Sequence, residues 1–137
     1  APSTLGYESS AGPDVVIFGF TATGLASSFG NDGVLAIQSE GLGLTSAEDR
    51  GRAIAVLADD RTVHVGRFGG SSAIFVVRPD GTLDETVGDG GRFLYPSTVL
   101  ASQFFAVAVS ADGTRIAAST NSDPNGAMIA ILEVGAN

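Results

Sequence analysis

The sequence predicts an all-β fold made of propeller-like four-stranded antiparallel units, about two and a half of them, and three observations carry that expectation. Apolar residues come in short runs, rich in β-branched and aromatic side chains, that have the length of strands and are bounded by Gly, Asp, Asn and Pro. No segment sustains helical spacing between capping residues. The runs also recur. Val15-Val16-Ile17-Phe18-Gly19-Phe20 with Phe29-Gly30-Asn31-Asp32-Gly33 returns as Ala73-Ile74-Phe75-Val76-Val77-Arg78 with Val87-Gly88-Asp89-Gly90-Gly91. Ala53-Ile54-Ala55-Val56-Leu57-Ala58-Asp59 returns as Ala106-Val107-Ala108-Val109-Ser110-Ala111-Asp112, and Ala73-Ile74-Phe75-Val76-Val77 as Ala127-Met128-Ile129-Ala130-Ile131.

Taken in order, residues 1–28 form a partial unit, with strands over Ser3–Gly6 and Val15–Thr21. Residues 29–86 form unit one, with strands Val34–Gln38, Arg52–Ala58, Thr62–Phe68 and Ala73–Arg78. Unit two, residues 87–137, contributes Phe93–Tyr95, Phe104–Ser110, Thr114–Ser119 and Ala127–Val134. Asp80-Gly81 and Asp112-Gly113 supply the positive-φ chemistry of tight turns, and Gly69-Gly70-Ser71-Ser72 reads as a hairpin loop between two strands. Four-stranded units recurring at this period are how the blades of a propeller look in sequence. With 137 residues, 44% of them apolar and 16% charged, the chain is expected to be a single repeat domain, 1–137, and not a disordered segment.

The stretch Phe75-Val76-Val77-Arg78-Pro79-Asp80-Gly81-Thr82-Leu83-Asp84, followed by Val87-Gly88-Asp89-Gly90-Gly91, resembles the delta-60 repeat of bacterial proteins. Phe29-Gly30-Asn31-Asp32-Gly33 and Val109-Ser110-Ala111-Asp112-Gly113 are similar to the same pattern. The resemblance implies a propeller-type repeat of secreted or surface proteins, with no general enzymatic activity. This chain has Val87 where the pattern carries Phe, and Asp59-Asp60-Arg61 where it carries Asp-Gly.

Composition excludes much chemistry. There is no Cys, hence no thiolate nucleophile, thiolate zinc site or disulfide. All seven cations are Arg, scattered among 15 acids for a net charge of −8, so no basic stripe suits nucleic acid and no Lys can serve a P-loop or Schiff base. No apolar run approaches the ~20 residues of a membrane span. The opening Ala-Pro-Ser-Thr, without Met, matches a mature secreted protein, and an extracellular or cell-surface location is expected.

Candidate site residues are few. His64 is the only histidine; alternation with Val63 and Val65 turns it away from the core, and an exposed strand-surface imidazole, with Ala117 as its counterpart, is expected. Asp80, Asp84 and Asp89 lie among glycines and offer hard oxygen ligands for Ca²⁺. With Asp59, Asp60 and Asp112 they also provide carboxylates for hydrolysis, although turn positions explain all six as caps of their own backbone. Tyr95, before Pro96, is the best aromatic platform for a glycan. The expected function is a non-enzymatic structural or adhesive scaffold that self-associates into an oligomer or filament, or completes a longer parent protein. A lectin-like module is the alternative, and a loop-carboxylate hydrolase stands behind it.

Overall fold

A computed structural model describes residues 15–37, 49–69, 71–95, 103–120 and 127–135. The strands are β1 (Val15–Phe18), β2 (Phe20–Thr21), β3 (Gly24–Leu25), β4 (Val34–Ile37), β5 (Arg50–Val56), β6 (Thr62–Phe68), β7 (Ser71–Val77), β8 (Arg92–Tyr95), β9 (Phe104–Val109), β10 (Arg115–Thr120) and β11 (Ile129–Glu133). No helix occurs among the described residues, and every strand pairing is antiparallel. The sheets are β5-β6-β7-β8, β9-β10-β11, β1-β4 and the small β2-β3 hairpin; among the described residues they close into no propeller ring.

The strands thus lie close to where the sequence places them, but their grouping differs. β4 and β8, at the places where strands Val34–Gln38 and Phe93–Tyr95 were expected to open units one and two, instead finish the sheet before them, pairing with β1 and β7. The connector between β7 and β8 dictates this. It folds back on the strand it leaves, with Asp84 N donating to Val76 O and Val76 N to Gly91 O, both at 2.9 Å, so β8 emerges beside β7. The strand expected from Arg52 begins two residues earlier, at Arg50, because Arg50 and Gly51 pair with Arg67 and Gly66. Ser3–Gly6 lies outside the described residues.

The internal repeat survives as a repeated hydrogen-bond pattern. Gly19 N donates to Gly33 O, Ala26 N to Gly19 O and Gly33 N to Phe29 O; the later copy has Val76 N to Gly91 O, Asp84 N to Val76 O and Gly91 N to Val87 O, all at 2.8–2.9 Å. Gly30 and Gly88 share the left-handed region at φ 54 and 59, as Gly33 and Gly91 do at 92 and 87. The β5–β6 and β9–β10 turns match in the same way: Leu57 N donates to Arg61 O where Ser110 N donates to Arg115 O, and Asp60 at φ 66 takes the place of Gly113 at φ 70.

These bonds set the equivalences to the residue. Gly19 stands for Val76, hence Phe18 for Phe75 and Ile17 for Ile74; Arg61 stands for Arg115, hence His64 for Ala118 and Val63 for Ala117. Through the registers Val63↔Val76 and Ala117↔Ile131, Ile131 stands for Val76, and likewise Ile129 for Ile74. The side-by-side sequence match is one residue out of step on these strands, and in a strand one residue exchanges the two faces.

The four-stranded sheet lies between the other two. One of its faces gives Val63, Val65, Ile74 and Val76 to a core shared with Phe104, Ile116 and Ala118 of the three-stranded sheet. The opposite face gives Phe68, Ala73, Phe75 and Val77 to a second core with Val15, Ile17 and Ile37 of the β1-β4 sheet. This double coverage explains why β7 is buried along almost its whole length without polar alternation. At the join of two layers Gly30 N donates to Asp80 O at 2.7 Å, and a Cβ on the neighbouring Gly81 would overlap the Gly30 backbone, so the close approach requires glycine there.

Candidate functional site

The acidic turns come first. Asp80 Oδ1 accepts from Thr82 N (3.0 Å) and Thr82 Oγ1 (2.6 Å), and Asp112 Oδ1 accepts the same pair from Thr114 at 3.0 and 2.8 Å. These bonds to the charged form hold both exposed carboxyls below the ordinary range, Asp80 chiefly through the Thr82 side chain and Asp112, at about 2, chiefly through Ser110. Asp59 Oδ1 likewise accepts from Arg61 N at 3.3 Å. Three turns therefore use one device: an Asp that caps the backbone two residues on.

The third turn adds something that its sequence signals only by its departure from Asp-Gly. Arg61, which gives Asp59 the backbone N–H that Thr82 and Thr114 give Asp80 and Asp112, is 1% exposed. Its guanidinium reaches Asp59 (Nε–Oδ2 2.9 Å), Asp84 Oδ2 (Nη1, 2.8 Å) and the Gly135 carbonyl (Nη2, 2.7 Å). Asp84, fully buried, accepts on Oδ1 from Thr86 Oγ1 (2.6 Å), Thr86 N (3.2 Å) and Arg78 Nη2 (3.2 Å). Burial pushes its carboxyl up, but the Thr86 and arginine hydrogen bonds together outweigh it and hold the group at about 2. A single clamp thus ties the β5–β6 turn, the β7–β8 connector and the segment after β11. Asp84 is committed to this clamp, Asp80 to its own turn, and Asp89 is exposed. Among the described residues no three His, Asp or Glu side chains gather as metal ligands.

His64 does point away from Val63 and Val65, but the face it joins is not solvent. That face is covered by the β1-β4 sheet, so the imidazole is half-buried beside β1, with Nε2 2.9 Å from Thr62 Oγ1. Its structural counterpart is the buried Ala118, not Ala117. Burial lowers its pKa from 6.5 to about 4. The folded protein then takes up this proton later than the unfolded chain, so the contribution of His64 is intact above pH 6.5 and is lost as pH falls toward 4. We expect an imidazole titration midpoint near 4 by NMR, and wild type losing stability relative to His64→Leu over that window. A midpoint above 6 would contradict the burial.

Tyr95 is half-buried, its ring edge-on to Phe104 at 5.6 Å and packed against the first core, so much of the proposed platform is already engaged. β6 and β7 pair as the hairpin expected here, but Ser71 and Ser72, expected in its loop, lie inside β7 opposite Phe68 and Arg67.

What the strands leave uncovered is apolar. Ile129 and Ile131 are 70% and 68% exposed, whereas their equivalents Ile74 and Val76 are 0% exposed beneath the next sheet. Phe18 is 52% exposed where its equivalent Phe75 is 2% exposed beneath the preceding one. Phe20 and Ile54, both exposed, share a groove with Phe18. On β11, Ala130 and Leu132 turn into the core and Ile129 and Ile131 do not. A groove between β1 and β5, lined by Val16, Phe18, Phe20, Arg52, Ile54 and His64, runs along the N-terminal layer. Comparison of the chain with family models, curated proteins and solved structures returns no match.

Proposed function

We propose that this protein is a non-enzymatic, propeller-like repeat module that works as an interaction scaffold at the cell surface or outside the cell. The observation that supports this most is the contrast between Ile74 and Val76, 0% exposed, and their equivalents Ile129 and Ile131, about 70% exposed. Contiguous apolar faces of this kind mark association surfaces. Copies of the chain, or the remainder of a longer parent protein, would cover them. The acids suited to hydrolysis or calcium serve turns and a buried clamp, which favours a structural role for them over a chemical one. The resemblance to delta-60 repeats points the same way, toward a surface-exposed repeat.

Light scattering at micromolar concentration tests the reading. The expected result is a mass that is a multiple of 13.8 kDa. A stable, well-folded species of 13.8 kDa at every concentration would sink it.

A further inference from the structure

The two bare faces are not alike, and their difference gives the association a direction. The outer face of the β9-β10-β11 sheet presents Ala106, Ala108, Ala117, Ser119, Ile129 and Ile131, none of them buried. By the hydrogen-bond equivalences this is the face that the four-stranded sheet turns toward its successor, where Val63, Ile74 and Val76 are closed off. The outer face of the β1-β4 sheet presents Val16, Phe18 and Ala36, with Phe20 beside it, its ring 6.3 Å from that of Phe18. This is the face that the four-stranded sheet turns toward its predecessor, where Ala73 and Phe75 are closed off. The apolar stretch of each face is uncharged; on the first, the exposed pair Arg115 and Glu133, facing each other across β10 and β11, closes one end of it.

The molecule therefore contains, in its interior, two examples of the contact that its ends lack. In each, a sheet's Ile74-type face meets the Phe75-type face of a neighbour's counterpart. We propose that the outer β9-β10-β11 face of one copy docks on the outer β1-β4 face of a second copy, continuing the internal stack head to tail. The proposal rests on the scaffold reading and adds to it the partner, the faces and their polarity. Such a contact is heterologous: each copy uses one face as donor and the other as acceptor, so assembly runs on to a closed ring or an open filament. Its apolar character also sets its salt response. Since each copy carries a net charge of −8, raising ionic strength weakens the repulsion between copies and leaves the contact intact.

Sedimentation velocity on Ile131→Arg, Phe18→Arg and their equimolar mixture tests it. Each variant loses one face and keeps the other. Each alone is expected to associate at least tenfold more weakly than wild type, while the mixture recovers a dimer and nothing larger, because the intact Phe18 face of one variant meets the intact Ile131 face of the other. Assembly of both single variants at wild-type strength, or a mixture that stays monomeric, overturns the proposal while leaving the scaffold reading standing. If Phe18→Arg still dimerises through its Ile131 face, the contact is isologous and the proposal also fails. A wild type that is monomeric throughout overturns both. Circular dichroism checks folding, and if either arginine variant is unfolded, Ile131→Ser and Phe18→Ser carry the same comparison.

Discussion

Asp84→Ala is expected to destabilise the protein by about 3–5 kcal/mol, the cost of removing one partner from a buried ion pair. Arg61 is 1% exposed and cannot turn its guanidinium to water; without the Asp84 carboxylate it keeps only Asp59 and the Gly135 carbonyl. Thr86 and Arg78 lose their acceptor in the same step. For a domain of this size the melting temperature should fall by about 10 °C or more. A double replacement, Arg61→Met with Asp84→Leu, should lie closer to wild type than Asp84→Ala does, since it removes both charges. The acid limb carries the same signature. The Asp84 carboxyl sits at about 2 in the folded protein, against about 3.9 for a free aspartate. Its contribution is therefore complete above pH ~4 and lost as pH falls toward 2, and Asp84→Ala should flatten that part of the stability curve. A variant melting within 2 °C of wild type would mean that the clamp does not hold the three segments together.

Phe104→Ala should cost a comparable amount, about 3–5 kcal/mol, by opening a cavity between two sheets. Phe104 is 0% exposed and sits at the head of β9, in the core that joins the three-stranded sheet to the four-stranded one. Tyr95 would lose its edge-to-face partner. The neighbouring Phe105 provides the internal control. It is 37% exposed, with the Arg52 guanidinium 5.0 Å from its ring centroid, and its truncation should cost no more than about 1 kcal/mol. Denaturant melts of the two variants decide the matter: equal losses would mean that Phe104 is not the residue joining the layers.

That Phe104 and Phe105, adjacent and chemically alike, differ so sharply shows where sequence reading stops. Alternation counted back from Val107 and Val109 would turn Phe105 inward, but a bulge where Ser119 pairs with Ala106 and Thr120 with Phe104 puts Phe104 inside and leaves Phe105 outside instead. His64 makes the same point. Its orientation away from Val63 and Val65 followed from the period of a strand, yet its burial depends on β1, which packs across from it and is remote in the chain.

Local chemistry was legible from the residues alone: strands from β-branched runs, turns from Asp-Gly, and a repeat, two copies of which fold their connectors with the same hydrogen bonds. These features depend on contacts between near neighbours, which a sequence states directly. The departure of Asp59-Asp60-Arg61 from Asp-Gly was visible as well, but its meaning was not, because the partners of Arg61, Asp84 and Gly135, belong to other segments. Only the tertiary structure decided which strand closes which sheet, which alternation faces a neighbouring layer, and which apolar faces go uncovered. The physical reason is that a strand has two faces one residue apart, and only the packing of distant segments selects between them.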